Sequence, residues 1–444
     1  MKLPAYPEYK HSEVDWLGDV PQHWQVRRSD GLVTTERRQV TPEAFADREV
    51  FHYSIPVIQE TGTGVIEDGA FIASAKQLVT EPVLLVSKLN PRKATICLAN
   101  PTQTLTVCST EFVALRAQRC EIRFLQYLAL SEFFRQRLDS VVQSVTRSHQ
   151  RANPEQIYRF WAAWPEIAEQ QSIADFLDAE TAKLDTLMAK KLELIEKLNE
   201  KRSTLISRTV TRGLPPEPAR AAGLNPNPKL KPSGIDWLGE IPEHWEVKQL
   251  KWTIMFQRGH DLPTDDRQEG SVPLVTSSGV SATHAVAAAK GPGIVTGRYG
   301  TIGVFYLVEE DYWPLNTTLY SVDLRGNEPR FLCYMLRHIA PLFLLNAVKS
   351  AVPGVDRNDI HPIKTAVPFH VEQRAIADYL DRETNKIDRM VEKIEAAIER
   401  LQEYRTALIT AAVTGKIDVR NVRHSGDNRN PGLSDEPGHR PSPV

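Results

Sequence analysis

Two groups of residues in this sequence have the side chains that bind phosphates and read the edges of bases. In the first, Lys88, Asn90, Arg92 and Lys93 follow the apolar run "EPVLLVS", and "SVTRSHQR" supplies Arg147, Ser148, His149 and Arg151. In the second, Arg298, Tyr299 and Thr301 lie in the glycine-rich "GRYGTIG", Asn316 and Thr317 follow Trp313, and Lys349, Ser350, Arg357 and Asn358 come later. Arg pairs with guanine and Asn with adenine, while Lys, small hydroxyls and backbone amides take the sugar-phosphate chain. Each of these residues alone is also what a solvated loop carries. Trp16, Trp24, Trp237 and Trp245 could stack on bases, but their repetition in a shared frame favours docking against a helix or strand.

Other chemistries lack their residues. "GRYGTIG" has no Lys-Ser/Thr for a phosphate loop and reads as a tight turn, and no G-x-G-x-x-G stands between a strand and a helix. Asp265, Asp266, Glu309, Glu310 and Asp311 could be metal ligands of a nuclease, but they occur in one half only and read as solvated loop acids. Neither a Ser-His-Asp nor a Cys-His arrangement follows from spacing. Cys97, Cys108, Cys120 and Cys333 lack C-x-x-C spacing and read as small buried hydrophobes rather than zinc ligands or disulfides. The pattern is that of a binding device.

The elements that must position these loops are duplicated. "DWLGDVPQHWQV", Asp15 to Val26, returns as "DWLGEIPEHWEV", Asp236 to Val247, with eight of twelve positions identical. "EQQSIADFLDAETAKLD", from Glu169, returns as "EQRAIADYLDRETNKID", from Glu372. The offset is 221 for the opening segment and 203 for the closing one, and between them no sustained similarity is found. Repeats this long lie far above solenoid periods and point to two domains related by approximate two-fold symmetry. Each insert mixes short strand-like runs, bounded by Gly, Pro and Asn, with helical patches.

Each half closes with a long helix. Leu184, Met188, Ile195, Leu198 and Leu205 mark an apolar stripe in the first, interrupted by Lys191 and Arg202. Ile387, Val391, Ile394, Ile398, Leu401, Leu408 and Ala412 keep the heptad rhythm of a coiled coil in the second, with Arg405 matching Arg202. Long basic side chains can cover such a seam with their alkyl stems. Roughly 40 helical residues make a rod of about 60 Å, and antiparallel pairing would bring the N-terminal repeat close to the end of the last helix.

The expected fold class is α+β: two mixed α/β domains separated by two long antiparallel helices forming a coiled coil, an internal pseudo-two-fold repeat. The expected boundaries are 1–165 for the first domain, 166–212 for the central helix, and 213–234 for an extended Pro-rich linker. The second domain takes 235–368, the C-terminal helix 369–416, and a disordered polar tail 417–444. The 444 residues, 41% hydrophobic, suit two or three domains with cores of their own. A net charge of −2 confines any nucleic-acid contact to local patches. Neither a signal-peptide core nor a membrane-length apolar run is present, so a cytoplasmic location is expected.

"DWLGxIPxHWxV" opening a half, "GRYGTIG" within an insert, and "P-x-x-x-EQ-x-x-IAD-[FY]-LD-x-ET" opening a long helix resemble the specificity subunit of type I restriction-modification systems. The resemblance spans residues 10 to 416. It implies that each insert is a target-recognition domain reading one half of a split, asymmetric DNA sequence, with a nonspecific gap spanned by the coiled coil. It implies as partners double-stranded DNA, two methyltransferase subunits using S-adenosylmethionine, and restriction/translocase subunits using ATP and magnesium, with no cofactor on this chain. The candidate DNA-binding residues on the inserts, chosen by side-chain type, are Lys88, Asn90, Arg92, Lys93, Arg147, Ser148, Arg151, Arg298, Tyr299, Thr301, Asn316, Lys349 and Arg357. The chain has neither the Asn-Pro-Pro-aromatic motif of adenine methyltransferases nor a helicase phosphate loop, which agrees with a noncatalytic subunit. An enzyme acting on DNA by itself, or a scaffold that assembles partners through its helices without reading sequence, are the rival readings.

Overall fold

A computed structural model describes residues 3–14, 16–36, 38–90, 93, 95–140, 143–144, 150–347 and 354–420. The chain divides into two units, Met1–Lys190 with Ala397–Val444, and Lys191–Ala396. Both cuts fall inside the long helices, Ile167–Arg212 and His370–Val413, so each unit contains a piece of both.

In the first unit a four-stranded antiparallel sheet runs in the order Ile96–Ala99, Val83–Ser87, Phe112–Ala117, Val33–Glu36. The strand Val83–Ser87 is buried along its whole length because side chains alternate between two cores. Leu84 and Val86 face the cluster that holds Phe124, Leu128 and the long-helix residues Ile173 and Leu177, while Val83 and Leu85 face a second cluster with Tyr53 and Phe112. A five-stranded sheet completes the insert, all antiparallel except the pair Leu105–Ser109 with Glu49–Tyr53.

The second unit repeats this plan. Its four-stranded sheet runs Phe305–Val308, Gly293–Gly297, Thr318–Asp323, Met255–Arg258, the same order by position in the repeat. Again the central strand divides its residues, with Ile294 in the core that holds Phe331 and the helix residues Ile376 and Leu380, and Val295 in the core of Tyr312 and Tyr320. The insert side is smaller, a three-stranded sheet of Gly279–His284, Val272–Thr276 and Trp313–Pro314.

In both units a helix, Ile122–Leu130 or Pro329–Ala347, is tied to the start of a long helix by the same polar contacts. Arg123 reaches Asp175 at 2.7 Å and Asp178 at 2.8 Å, and Tyr127 donates to Asp178 at 2.6 Å. Arg330 reaches Asp378 at 2.9 Å and Asp381 at 2.8 Å, and Tyr334 donates to Asp381 at 2.7 Å. The middles therefore keep a third repeated segment, "EIRFLQY" from Glu121 and "EPRFLCY" from Glu328, which corrects the expectation that no similarity survives between the matched ends. Gln170 and Gln373 each accept from a backbone N–H at 2.8 Å and donate to a proline carbonyl five residues back.

Glu169 accepts from Tyr6 at 2.8 Å, His23 at 2.8 Å and Trp24 at 3.2 Å; Glu372 pairs with His244 at 2.8 Å. Trp24 and Trp245 are fully buried, Trp16 stacks on Phe133, and Trp237 lies against His338, so the repeated tryptophans are frame residues.

Within each unit the two helical segments run antiparallel. In the first unit Asp185 meets Arg405 at 3.0 Å, while nearer the start of that helix the residues bonded to Glu169 approach Gly415. In the second unit Arg202 meets Asp388 at 3.3 Å, and Gly213 lies next to Glu372. Leu184, Met188, Lys191, Ile195, Leu198, Arg202 and Leu205 are half-buried amid exposed neighbours, so the basic residues do belong to the stripe. Both helices stop at a glycine with positive φ, Gly213 at 82° and Gly415 at 72°, where a side chain would be strained.

Two boundaries differ from expectation. The 213–234 segment is not an extended linker: it holds the helix Pro216–Ala221, whose start suits Pro at its first position, and the strand Leu230–Pro232, with Leu214 and Ala219 buried. The start of the expected tail is folded, since Asp418 donates its N–H to Pro4 at 2.8 Å, Val419 is buried, and the Arg420 guanidinium lies over Tyr6. Residues 421–444 lie outside the described residues.

Candidate nucleic-acid interface

In both units the loop residues leave the end of the doubly buried central strand. Lys88 follows Val83–Ser87, and Arg298 follows Gly293–Gly297. Each is gripped on both sides of its backbone by equivalent hydrogen bonds. The Lys88 N–H donates to Glu111 at 2.9 Å and its carbonyl accepts from Ala152 at 2.8 Å; the Arg298 N–H donates to Thr317 at 2.8 Å and its carbonyl accepts from Val355 at 3.0 Å. Glu111 and Thr317 each stand one residue before the neighbouring strand, and a short helix capped by Asn153 or Asp356 follows Ala152 or Val355. Two rims of like construction carry different side chains.

On the first rim Lys88 and Arg151 converge on Glu111. The Arg151 guanidinium is 2.5 Å from one carboxylate oxygen and the Lys88 ammonium 3.9 Å from the other. Asn90 turns the chain in the left-handed region at φ 47°, which Asn tolerates better than most residues, and its carbonyl accepts from the N–H of Lys93, which is exposed. Thr35, Gln39, Gln77, Lys88 and Thr110 contribute to the wall of a concavity of about 210 Å³ beside this rim. Arg92, Arg147, Ser148 and His149 lie outside the described residues. Glu111, absent from the sequence reading, has no motif to mark it.

On the second rim Arg298 lies over the ring of Tyr299, and that ring packs on Gly354, where a Cβ would come within 2.5 Å. Thr301 donates to the Ser277 carbonyl, tying the glycine-rich turn to a neighbouring loop. Asn316 donates to Asp261, whose other oxygen is 3.5 Å from Arg258. Arg357 is exposed at the start of its short helix, where Asp356 and Asp359 cap each other's backbone. Burial, and then the Arg357 charge, hold His361 below its ordinary pKa, which fits its ring accepting from the Phe256 N–H at 3.2 Å. Lys349 and Ser350 lie outside the described residues. Arg258 and Asp261 are the residues that sequence reasoning missed here.

The acids considered as metal ligands do not gather. Asp265, Asp266, Glu309 and Glu310 are exposed, and Asp311 accepts from Lys290 at 2.7 Å. Cys97, Cys108 and Cys333 are buried and Cys120 half-buried; burial pushes the Cys97 thiol up to about 11 and Cys108 to about 12. Among the described residues no helix is long and apolar enough to cross a membrane.

A duplicated frame holding two loop rims of unlike chemistry defines a two-module recognition protein. Residues 242–400 match the type I restriction modification DNA specificity domain. Over that stretch the chain is similar to the specificity subunits of type I restriction-modification systems. A protein of Methanocaldococcus jannaschii described as the specificity subunit of the type I restriction enzyme MjaX is 22% identical over 94% of this chain and 99% of its own length. Among solved structures, a chain from a study of complex assembly and conformational transition of the type I R-M system shares the fold. Its TM-score is 0.68, at 16% identity over 90% of this chain and 99% of that one. The HsdS subunit of Thermoanaerobacter tengcongensis aligns with a TM-score of 0.48, at 17% identity over 90% and 98%.

Proposed function

We propose that this chain is a noncatalytic subunit that reads a bipartite, asymmetric DNA target, one half-site per rim, and directs methyltransferase and restriction subunits to it. The observation that carries this reading is the pair of rims: the backbone grip at Lys88 and at Arg298 is the same, while the side chains it presents differ. A device that reads two different half-sites needs that combination. Lys88, Asn90, Lys93 and Arg151 serve the first half-site, with Arg92, Arg147 and Ser148 assigned to it from sequence. Arg298, Tyr299, Thr301, Asn316 and Arg357 serve the second, with Lys349. Two methyltransferase subunits carry S-adenosylmethionine, restriction/translocase subunits carry ATP and magnesium, and the complex works in the cytoplasm.

The test is co-expression with a candidate methyltransferase subunit, followed by mapping of methylated adenines across the host DNA. One split motif with a fixed gap, changed in one half only when residues 30–160 are exchanged for those of a relative, is the expected result. Methylation that is absent, or indifferent to the exchange, returns the chain to the scaffold reading, which also predicts binding that responds little to salt.

A further inference from the structure

Asn316 stands two residues before the strand Thr318–Asp323, on the rim that presents Arg298. Its backbone has little freedom. Leu315 donates its N–H to Val275 at 2.9 Å, and its carbonyl accepts both the N–H of Thr318 at 2.9 Å and the Thr318 hydroxyl at 2.7 Å. Gly259 and His260 donate to Thr318 and Pro314 at 3.0 and 2.8 Å, and a Cβ on Gly259 would lie 2.1 Å from the Leu315 carbonyl oxygen. The loop that carries Asp261 is thereby locked against the loop that carries Asn316.

The side chain is fixed as well. The Asp261 side-chain oxygen accepts here, so the Asn316 atom facing it is the amide nitrogen. That settles which way the amide points, a choice otherwise open to a flip of the group. Among the described residues, one N–H and the carbonyl oxygen of Asn316 have no partner. Together they match the N7 acceptor and N6 amino donor of adenine in the major groove, whereas guanine offers two acceptors there and would set its O6 against the Asn316 oxygen. Arg258 beside Asp261 offsets the carboxylate charge that would otherwise repel phosphates.

Resting on the reading of this unit as a DNA reader, we propose that Asn316 reads one adenine of the second half-site and that Asp261 is the positioning residue that holds its amide. The same place on the first rim has Thr110, two residues before Phe112, lining the concavity with Gln39. Among its described residues that rim has no such amide-carboxylate pair, so the adenine reading is assigned to the second half-site.

The experiment uses the co-expressed complex and compares wild type with Asn316→Ala, Asp261→Ala and Asp261→Asn, scored by the methylated motif and by binding to duplexes varied at one position. Asn316→Ala should make one A·T position of the second half-site degenerate, reducing its preference by about five- to 150-fold, and leave the first half-site unchanged. Asp261→Ala should relax the same position by a smaller factor. Asp261→Asn, which keeps an acceptor for the amide, should restore most of it, an outcome that a merely structural role would not give. A second half-site with no A·T requirement, an unchanged motif in Asn316→Ala, or equal weakening on every sequence overturns the proposal. Should Asn316→Ala fail to fold, Asp261→Ala decides, and an unaltered preference overturns it. If the wild-type complex itself has no split motif, it is the reading of the chain as a specificity subunit that fails.

Discussion

The two carboxylates at the starts of the long helices occupy the same place in the repeat with different company, so each serves as a control for the other. Glu169 is 9% exposed and accepts from the buried Tyr6 hydroxyl and Trp24 indole as well as from His23. Glu372 is 8% exposed and holds His244, while Trp245 Nε1 has no hydrogen-bond partner among the described residues. Replacing Glu169 with Ala strands two buried donors at about 1–3 kcal/mol each. His23 is 43% exposed and finds water, so its pair adds little. The expected cost is roughly 2–6 kcal/mol, set by those stranded donors. Glu372→Ala strands no buried donor that Glu372 now satisfies, and its half-exposed partner limits the cost to about 1 kcal/mol or less. Hydrogen exchange read by peptide reports each unit separately. Glu169→Ala should lower protection of residues 3–28 and 167–180 by at least thirtyfold, a factor equivalent to roughly 2 kcal/mol, and leave 235–247 unchanged; Glu372→Ala should produce only a small loss around 235–247. Equal costs at the two sites, or a larger one for Glu372→Ala, would refute the reasoning that stranded donors set the magnitude.

The helix-stop glycines make a second matched pair. Gly213→Ala meets the left-handed penalty of about 1–2 kcal/mol, since its Cβ finds the Glu372 carboxylate at 3.3 Å and the Trp245 ring at 3.8 Å without a hard clash; Gly415→Ala adds a clash with the Pro21 ring at 2.3 Å and should be the more destabilising in chemical denaturation. Acid should loosen the junction of the chain ends in a way that Asp418→Asn mimics. Arg420 holds the Asp418 carboxyl below its ordinary value, so the stabilisation is present above the ordinary carboxylate range and is lost as pH falls through the depressed folded value. Thermal melting of wild type should exceed that of Asp418→Asn at pH 7 and converge with it once the pH has fallen below the depressed folded value.

What the sequence made legible follows from how each feature is encoded. The helical stripe was readable through Lys191 and Arg202 because a period of three and four residues survives two interruptions, and long basic side chains suit a half-buried seam. The 213–234 segment was misread because proline that starts a helix looks the same as proline that extends a linker. "E-x-R-F-L-x-Y" went unseen because its offset, 207, matches neither 221 nor 203: insertions on either side moved it. Glu111 and Asp261 had no local signal at all. Each matters through a partner 40 and 55 residues away, Arg151 and Asn316, and only the fold brings them together.

The location of the drift has a physical cause. Val83–Ser87 and Gly293–Gly297 are each buried on both faces, and one face of each rests on the core that also contains the start of a long helix. That face is constrained by the helix, by the Arg123 or Arg330 contacts, and by the buried tryptophan, so changes there would disturb several partners at once. The other face answers only to its own insert, which is a five-stranded sheet in one unit and a three-stranded sheet in the other. A residue just past the end of such a strand inherits a fixed backbone, as the matching hydrogen bonds of Lys88 and Arg298 show, without inheriting a required side chain. Substitution at these positions can therefore alter the side chains the rim presents while leaving the frame intact. This is also why Glu111 and Thr317, equivalent in backbone, can differ in charge: one gathers two cations, and the other leaves Arg298 to Tyr299.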